Sequence, residues 1–265
     1  MTRFTFFKLV PEDICMASLN HTVVIIPAYN EELAIGVLIA AIQGVVGDFA
    51  DIVVIDDGSN DSTADSARRA GAIVLSHPFN MGYGITIQTG YKYAYSKGYE
   101  YLVQIDGDGP HDPEYIPSLL EPVMNGAADL ALGSRFLDAA SYNPPLLRRA
   151  GMYFFGSLVS LLIGRPISDP TSGYQALNRS VLAFFTNDSF PCDYPDADVL
   201  LMLGLNGFSI SEVPVRMYAN VAGKSMHSGL KPLYYVFKML LSMIVTLLRK
   251  RSPYTGAGRS GKHAD

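Results

Sequence analysis

The feature that most restricts what this chain can fold into is a repeated local pattern. A short, unbroken β-branched run is followed by a polar turn and then by apolar residues at helical spacing. Thr22–Pro27 (TVVIIP) is the first such run, the pattern of a strand buried on both faces. In Glu31–Val46, residues Leu33, Val37, Leu38, Ala41, Ile42 and Val45 recur at three- and four-residue intervals, which predicts a helix. Ile52–Ile55, Ala72–Ser76, Tyr101–Ile105 and Ala128–Leu132 read as further strands. Thr63–Ala70, capped by Asp61 or Ser62, and Gly84–Lys97 read as helices, and Asp112-Pro113 opens another. Strand–helix alternation at this spacing implies right-handed crossovers and a mainly parallel sheet flanked by helices.

The second half departs from that rhythm. Leu146–Ile163 is a largely apolar helical stretch carrying Arg148 and Arg149 near its start. Asp169–Tyr174 (DPTSGY) reads as a loop, Ala176–Phe185 and Pro195–Asn206 as short helices, and Phe208–Val215 as a strand. Leu233–Leu248 is almost wholly apolar and ends in Arg249-Lys250-Arg251. As a helix it would rise only about 24 Å, short of the ~30 Å hydrocarbon layer. The expectation is an interfacial helix anchored by its basic end, with a tilted span or a packing element as alternatives.

Charge supports that reading. The chain has a net charge of −5, yet Arg249 to Asp265 holds five basic residues and one acid. An acidic body with a short basic tail argues against a nucleic-acid groove and fits contact with anionic lipid at one end. Cys15 and Cys192 form no metal spacing and no disulfide framework. Lys8, Glu12 and Asp13 interrupt any apolar signal core. The expected location is the cytoplasm, peripheral on the inner membrane face.

In parallel sheets ligands gather at the carboxyl ends of the strands. The polar clusters Tyr29–Glu31, Asp56–Ser59, Asn80–Gly84 and Asp106–Asp108 all fall there. Asp106-x-Asp108 offers two hard oxygen ligands suited to Mg²⁺ or Mn²⁺ bridged to a diphosphate. Asp56 and Asp57 can accept hydrogen bonds from a base or a ribose, or can simply shape their turn. Gly82 and Gly84 open a helix where backbone N–H groups approach an anion closely. The third glycine of a dinucleotide fingerprint would fall at Ile87, and no P-loop is present.

Together VVIIPAYNE (23–31), VVIDDGSNDST (53–63), HPFNMGYG (77–84), DGDGPHDP (106–113), GSRF (133–136) and DPTSGYQALNR (169–179) resemble family 2 glycosyltransferases of the GT-A fold. Within the family they are similar to the branch acting on polyprenyl phosphates, the dolichyl-phosphate mannose synthase-like enzymes. The resemblance implies a GT-A domain over 22–228, with an N-terminal extension (1–21), an apolar interfacial helix (229–252) and a basic tail (253–265). It implies that Pro27, Ala28, Tyr29, Glu31, Asp57 and the neighbouring Asp56 and Gly82 meet a UDP- or GDP-sugar. Asp106 and Asp108 would hold Mg²⁺ or Mn²⁺, with Asp106 also facing the donor. Arg135, with Arg148 or Arg149, would meet the acceptor phosphate, and Arg216, Lys224 and Ser225 would close on the diphosphate.

The implied activity is inverting transfer to a dolichyl or undecaprenyl phosphate. Alternatives are a soluble enzyme acting on a saccharide or small-molecule hydroxyl, with Asp198 or its neighbour Asp196 as base, and a catalytically silent nucleotide-sugar-binding subunit. Many relatives read D-x-D-x-Q-H, where this chain has Pro110 in place of the Gln. His111 beside it is a poor Mg²⁺ ligand. The absence of tryptophan excludes the Q-x-x-R-W pattern of processive synthases. The apolar C-terminal helix could serve a homo-oligomer as well as a membrane.

Overall fold

The computed structural model describes residues 21–109, 111–137, 146–193, 195–217 and 231–248. Seven strands form one sheet among these residues: β1 (Thr22–Ala28), β2 (Ala50–Asp56), β3 (Ile73–Ser76), β4 (Tyr101–Gln104), β5 (Leu130–Ser134), β6 (Gln175–Asn178) and β7 (Ile210–Pro214). Their order is β3-β2-β1-β4-β6-β5-β7. The helices are α1 (Ile35–Val46), α2 (Thr63–Arg69), α3 (Tyr83–Lys97), α4 (Ile116–Met124), α5 (Leu146–Ile163), α6 (Arg179–Phe185), α7 (Ala197–Leu205) and α8 (Lys231–Leu248).

Alternation along the strands sorts the core into two layers. Val23, Ile25, Val53, Ile55, Leu102 and Leu132 face Ile87 and Tyr91 of α3, Phe155 and Val159 of α5, and Leu200 of α7. Val24, Ile26, Ile52, Val54 and Val103 face α1 and α4 through Ile35, Leu38, Ile39, Ile42, Leu119 and Leu120. Each such side chain contributes about 1.5–3 kcal/mol on burial. Gly90 lets α3 lie close on the sheet, because a Cβ there would sit 3.0 Å from the Cδ1 atoms of Ile25 and Ile55.

Two readings of the sequence are corrected. The buried face of α1 is Ile35, Leu38, Ile39, Ile42 and Val46, whereas Leu33 and Val37 are exposed. The helix also begins four residues later than periodicity predicts. Residues 31–34 form a turn, and the N–H groups of residues 30–32 are held by the 59–63 segment: Asn30 N donates to Ser59 Oγ, Glu31 N to Thr63 Oγ1 and Glu32 N to Asp61. The second correction is β6, read from sequence as the start of a helix. Gln175–Asn178 instead pairs antiparallel with both β4 and β5. Every other pairing in the sheet is parallel. Because β6 runs backwards, the loop preceding it arrives at the edge where the other strands end.

Among the described residues no helix is long and apolar enough to cross a membrane. α8 packs on α7 through Met239 and Met243, and leaves Phe237, Leu241, Ile244, Val245 and Leu248 exposed. α5 likewise exposes Tyr153, Phe154 and Leu161.

Candidate active site

The strand-end loops are tied to one another rather than merely near. Gly58 adopts φ +68°, and a Cβ there would lie 2.5 Å from the carbonyl carbon of Phe79, so the β2 turn is pressed against the 79–82 turn. Asp57 closes that junction. Its carboxylate accepts from Met81 N (2.8 Å) and Gly82 N (2.9 Å) and meets His77 Nδ1 at 2.8 Å. Asp56 accepts from Ser59 N. Asp57 N donates to Ala28 O, and Gly107 N donates to Pro27 O, which binds the first, second and fourth strand ends together. Tyr29 projects from this junction, 41% exposed.

The acidic turn after β4 lies at the centre. Asp106 accepts from the Tyr83 hydroxyl (2.8 Å) and meets His111 Nε2 at 3.2 Å. Burial pushes its carboxyl up, but His111, Tyr83 and Arg135 outweigh burial and hold it below the ordinary range. Glu31 moves the other way, raised by burial and by the charges of Asp108 and Asp61. Glu31 therefore lies within electrostatic reach of Asp108, in the acidic turn, and of Asp61.

That donor set fits a hard dication. Among the described residues no three His, Cys, Asp or Glu side chains form a ready metal cage. A cation here would rest on Asp106 and Asp108 and complete its shell with phosphate oxygens and water, as Mg²⁺ commonly does. His111 is 2% exposed, packs against Tyr174 with ring centroids 4.9 Å apart and the planes tilted by 46°, and spends Nε2 on Asp106. Its place is that of a brace for the carboxylate.

Arg135, expected to meet a phosphate, is 4% exposed and gripped by Asp169. Nε and Nη2 donate to the two carboxylate oxygens at 2.6 and 2.5 Å, and Nη2 also donates to Thr171 Oγ1. The guanidinium charge reaches Asp106 and favours its ionised form. Arg149 is exposed and lies over Tyr153, which in turn contacts Phe136 of the same loop. Arg216 is exposed just after β7, and Met217 bridges to His111, so this strand's exit lies against the acidic turn. Lys224, Ser225, Pro110 and the side chain of Arg148 lie outside the described residues, as do 1–20 and 249–265.

Asp198 does not offer an accessible base. It is fully buried in the first turn of α7, accepts from Asp196 N and Val199 N, and receives the hydroxyl of Ser242 from α8. Burial pushes its carboxyl up against those hydrogen bonds. Its neighbour Asp196 is the one whose charge reaches the Tyr83 hydroxyl.

Sequence reasoning missed the partners that hold these groups: Tyr83, Gln104, Asp169, Gly173, Gln175 and Glu212. Glu212 accepts from the Ser168 and Asp169 N–H groups and so fixes the 168–174 loop. The available signal was a polar residue inside an apolar strand, as Gln104 is in YLVQI.

A mostly parallel sheet with one reversed strand, glycine and acidic turns at its carboxyl edge, and an Asp-x-Asp after β4 is the GT-A fold of glycosyltransferases. The chain belongs to glycosyl transferase family 2, which matches residues 23–185, and it is a glycosyltransferase. It is 31% identical over 228 residues to a dolichyl-phosphate hexose transferase of Haloferax volcanii, covering 85% of this chain and 89% of that one. It is 32% identical over 220 residues to a polyprenol monophosphomannose synthase of Mycolicibacterium smegmatis, covering 79% and 82%. A solved structure of glucosyl-3-phosphoglycerate synthase from Mycobacterium tuberculosis, in complex with Mn²⁺, UDP-glucose and phosphoglyceric acid, shares the fold. Its TM-score is 0.63 at 24% identity, over 86% of this chain and 78% of that one.

Proposed function

We propose that this enzyme transfers a sugar, with inversion, from a UDP- or GDP-linked donor to a polyprenyl phosphate at the cytoplasmic face of a membrane. The observation that carries the proposal is the hydrogen-bonded union of the Asp57, Gly82 and Asp106 turns at one sheet edge, with the charge of Arg135 reaching Asp106. The Haloferax and Mycolicibacterium relatives, named for transfer to dolichyl phosphate or for polyprenol monophosphomannose synthesis, support the acceptor class.

The base and ribose would rest among Pro27, Ala28, Tyr29, Glu31, Asp56 and Asp57, with Gly82, whose N–H is held by Asp57, beside the donor. Asp106 and Asp108 would hold Mg²⁺ or Mn²⁺, which when bound neutralises charge on the departing diphosphate. An acceptor phosphate oxygen attacks the anomeric carbon, and the bond to the nucleoside diphosphate breaks. A phosphate monoester is already largely anionic near pH 7, with a second pKa of ~6 by analogy with phosphorylated side chains, and needs cations rather than a base. The burial of Asp198 agrees with that chemistry. Arg149 and Arg216, exposed at the rim, would meet the acceptor phosphate and the diphosphate, while Arg135 orders the loop between them. Arg148, Lys224 and Ser225 would complete that set.

The exposed apolar residues of α5 and α8 and the basic residues after α8 would rest on the lipid surface, leaving the protein peripheral. The test is transfer of radiolabelled sugar from a panel of UDP- and GDP-sugars to polyprenyl phosphate, with and without Mn²⁺. Lipid-linked product that depends on the metal and on Asp106 supports the reading. Transfer only to soluble hydroxyl acceptors, or nucleotide binding without any transfer, overturns it.

A further inference from the structure

Beneath Asp106 a chain of buried polar side chains runs through the layer between the sheet and α3. The Tyr83 hydroxyl lies 2.8 Å from Asp106 Oδ1 and 2.9 Å from Gln104 Nε2. Gln104 Oε1 meets the Tyr91 hydroxyl and lies 3.2 Å from Gln175 Nε2, which also reaches Tyr91 at 2.9 Å. Gln104, Tyr91 and Gln175 are all buried, drawn from β4, α3 and β6.

The direction of every bond in this chain follows from one fact. An ionised carboxylate only accepts, so Tyr83 must donate its single proton to Asp106. The phenol oxygen is then left to accept, and only the amide nitrogen of Gln104 can supply that hydrogen. This turns the Gln104 carbonyl toward Tyr91 and Gln175, both of which donate to it. Reversing any member reverses the rest, because each hydroxyl has one proton to give. The opposite side of the carboxylate is closed as well. Gly173 lies so near that a Cβ would stand 2.7 Å from Asp106 Oδ2 and 3.0 Å from the Tyr83 hydroxyl.

We propose that Tyr83 and Gln104 are positioning residues for the metal carboxylate: the relay pins Asp106 Oδ1 by a hydrogen bond of fixed direction while His111 Nε2 meets Oδ2, so that the carboxylate is held in one orientation and its remaining lone pairs are presented to the cation. This rests on the reading that Asp106 holds a divalent metal. Outer hydrogen-bond partners of metal ligands typically change affinity by about 10–100-fold when removed. Tyr83→Phe deletes the donor. Gln104→Glu keeps the size but replaces the donating nitrogen with an accepting oxygen, which captures the Tyr83 proton and turns the phenol lone pair toward Asp106.

The test is titration calorimetry of Mn²⁺ into the full chain in the presence of UDP and, separately, GDP, beside nucleotide titrations without metal. The expected result is Mn²⁺ affinity weakened about 10–100-fold in both variants, with metal-free nucleotide affinity unchanged. A merely structural contribution would weaken both together, and that outcome overturns the proposal. Mn²⁺ binding that is abolished by Asp106→Ala but stays within threefold of wild type in Tyr83→Phe overturns the relay while leaving the metal reading intact. Mn²⁺ binding insensitive to Asp106→Ala overturns both. Should Gln104→Glu fail to fold, Tyr83→Phe decides alone.

Discussion

The Arg135–Asp169 pair offers the sharpest test of how the site is built. Asp169 is fully buried and accepts from the Arg135 backbone N–H at 3.0 Å as well as from Nε and Nη2 of its guanidinium. Arg135 is 4% exposed, so neither charge is screened by water. Taking away one partner leaves the other buried and uncompensated, a loss of ~3–5 kcal/mol. Asp169→Asn and Arg135→Met should each reach that range in urea unfolding. At roughly 2–4 °C per kcal/mol for a chain of this size, melting falls by roughly 6–20 °C. The double variant removes both charges and should lose clearly less than the sum, with a coupling above ~2 kcal/mol. Contacting pairs couple by ~0.5–3 kcal/mol, whereas independent sites add to within about 0.5 kcal/mol. Additive losses, or single variants as stable as wild type, would refute the argument that this fork clamps the 133–136 loop onto the 168–174 loop.

Gly173→Ala places a methyl 2.7 Å from Asp106 Oδ2, and sugar transfer should fall at least ~10-fold in a protein that still folds, read by steady-state kinetics beside circular dichroism. Gly58→Ala combines φ +68° with a 2.5 Å clash against the Phe79 backbone, so stability should drop by about 1–3 kcal/mol and nucleotide affinity with it. Asp198→Asn should preserve turnover, because the carboxylate is buried against α8; loss of kcat at unchanged stability would restore it as a base. Its folded pKa is raised above the unfolded value, so the wild type loses stability as pH rises from the ordinary carboxylate pKa of ~3.9 toward the folded one. The melting advantage of Asp198→Asn over wild type should therefore be larger at pH 7 than at pH 4.

Much of the architecture was legible because it is written in local terms. Unbroken runs such as Val23–Ile26 and Val53–Ile55 can be satisfied only inside a sheet covered on both faces. The acidic and glycine turns fall after such runs in the sequence itself, so strand-end placement follows from chain order alone. β6 was not legible. QALN has four residues and no strong β preference, and it becomes a strand because the exposed edges of β4 and β5 need a partner between them. The face of α1 was misread for a similar reason: its apolar positions cover nearly every side, and only the tilt of the helix on the sheet decides which are buried.

The roles of individual charges divide the same way. Residue type and order determined that this chain builds a parallel α/β sheet with carboxylates and glycines along one edge, since periodicity and turn chemistry act within a few residues. Only the tertiary structure decided that Asp57 would spend its oxygens on the 81–82 turn, that Arg135 would be claimed by Asp169, and that Asp198 would disappear beneath α8. Those partners lie 24, 34 and 44 residues away in sequence. Burial and pairing of a charge depend on which distant loop arrives beside it, and the reversed strand β6 is what brings one of those loops to the site.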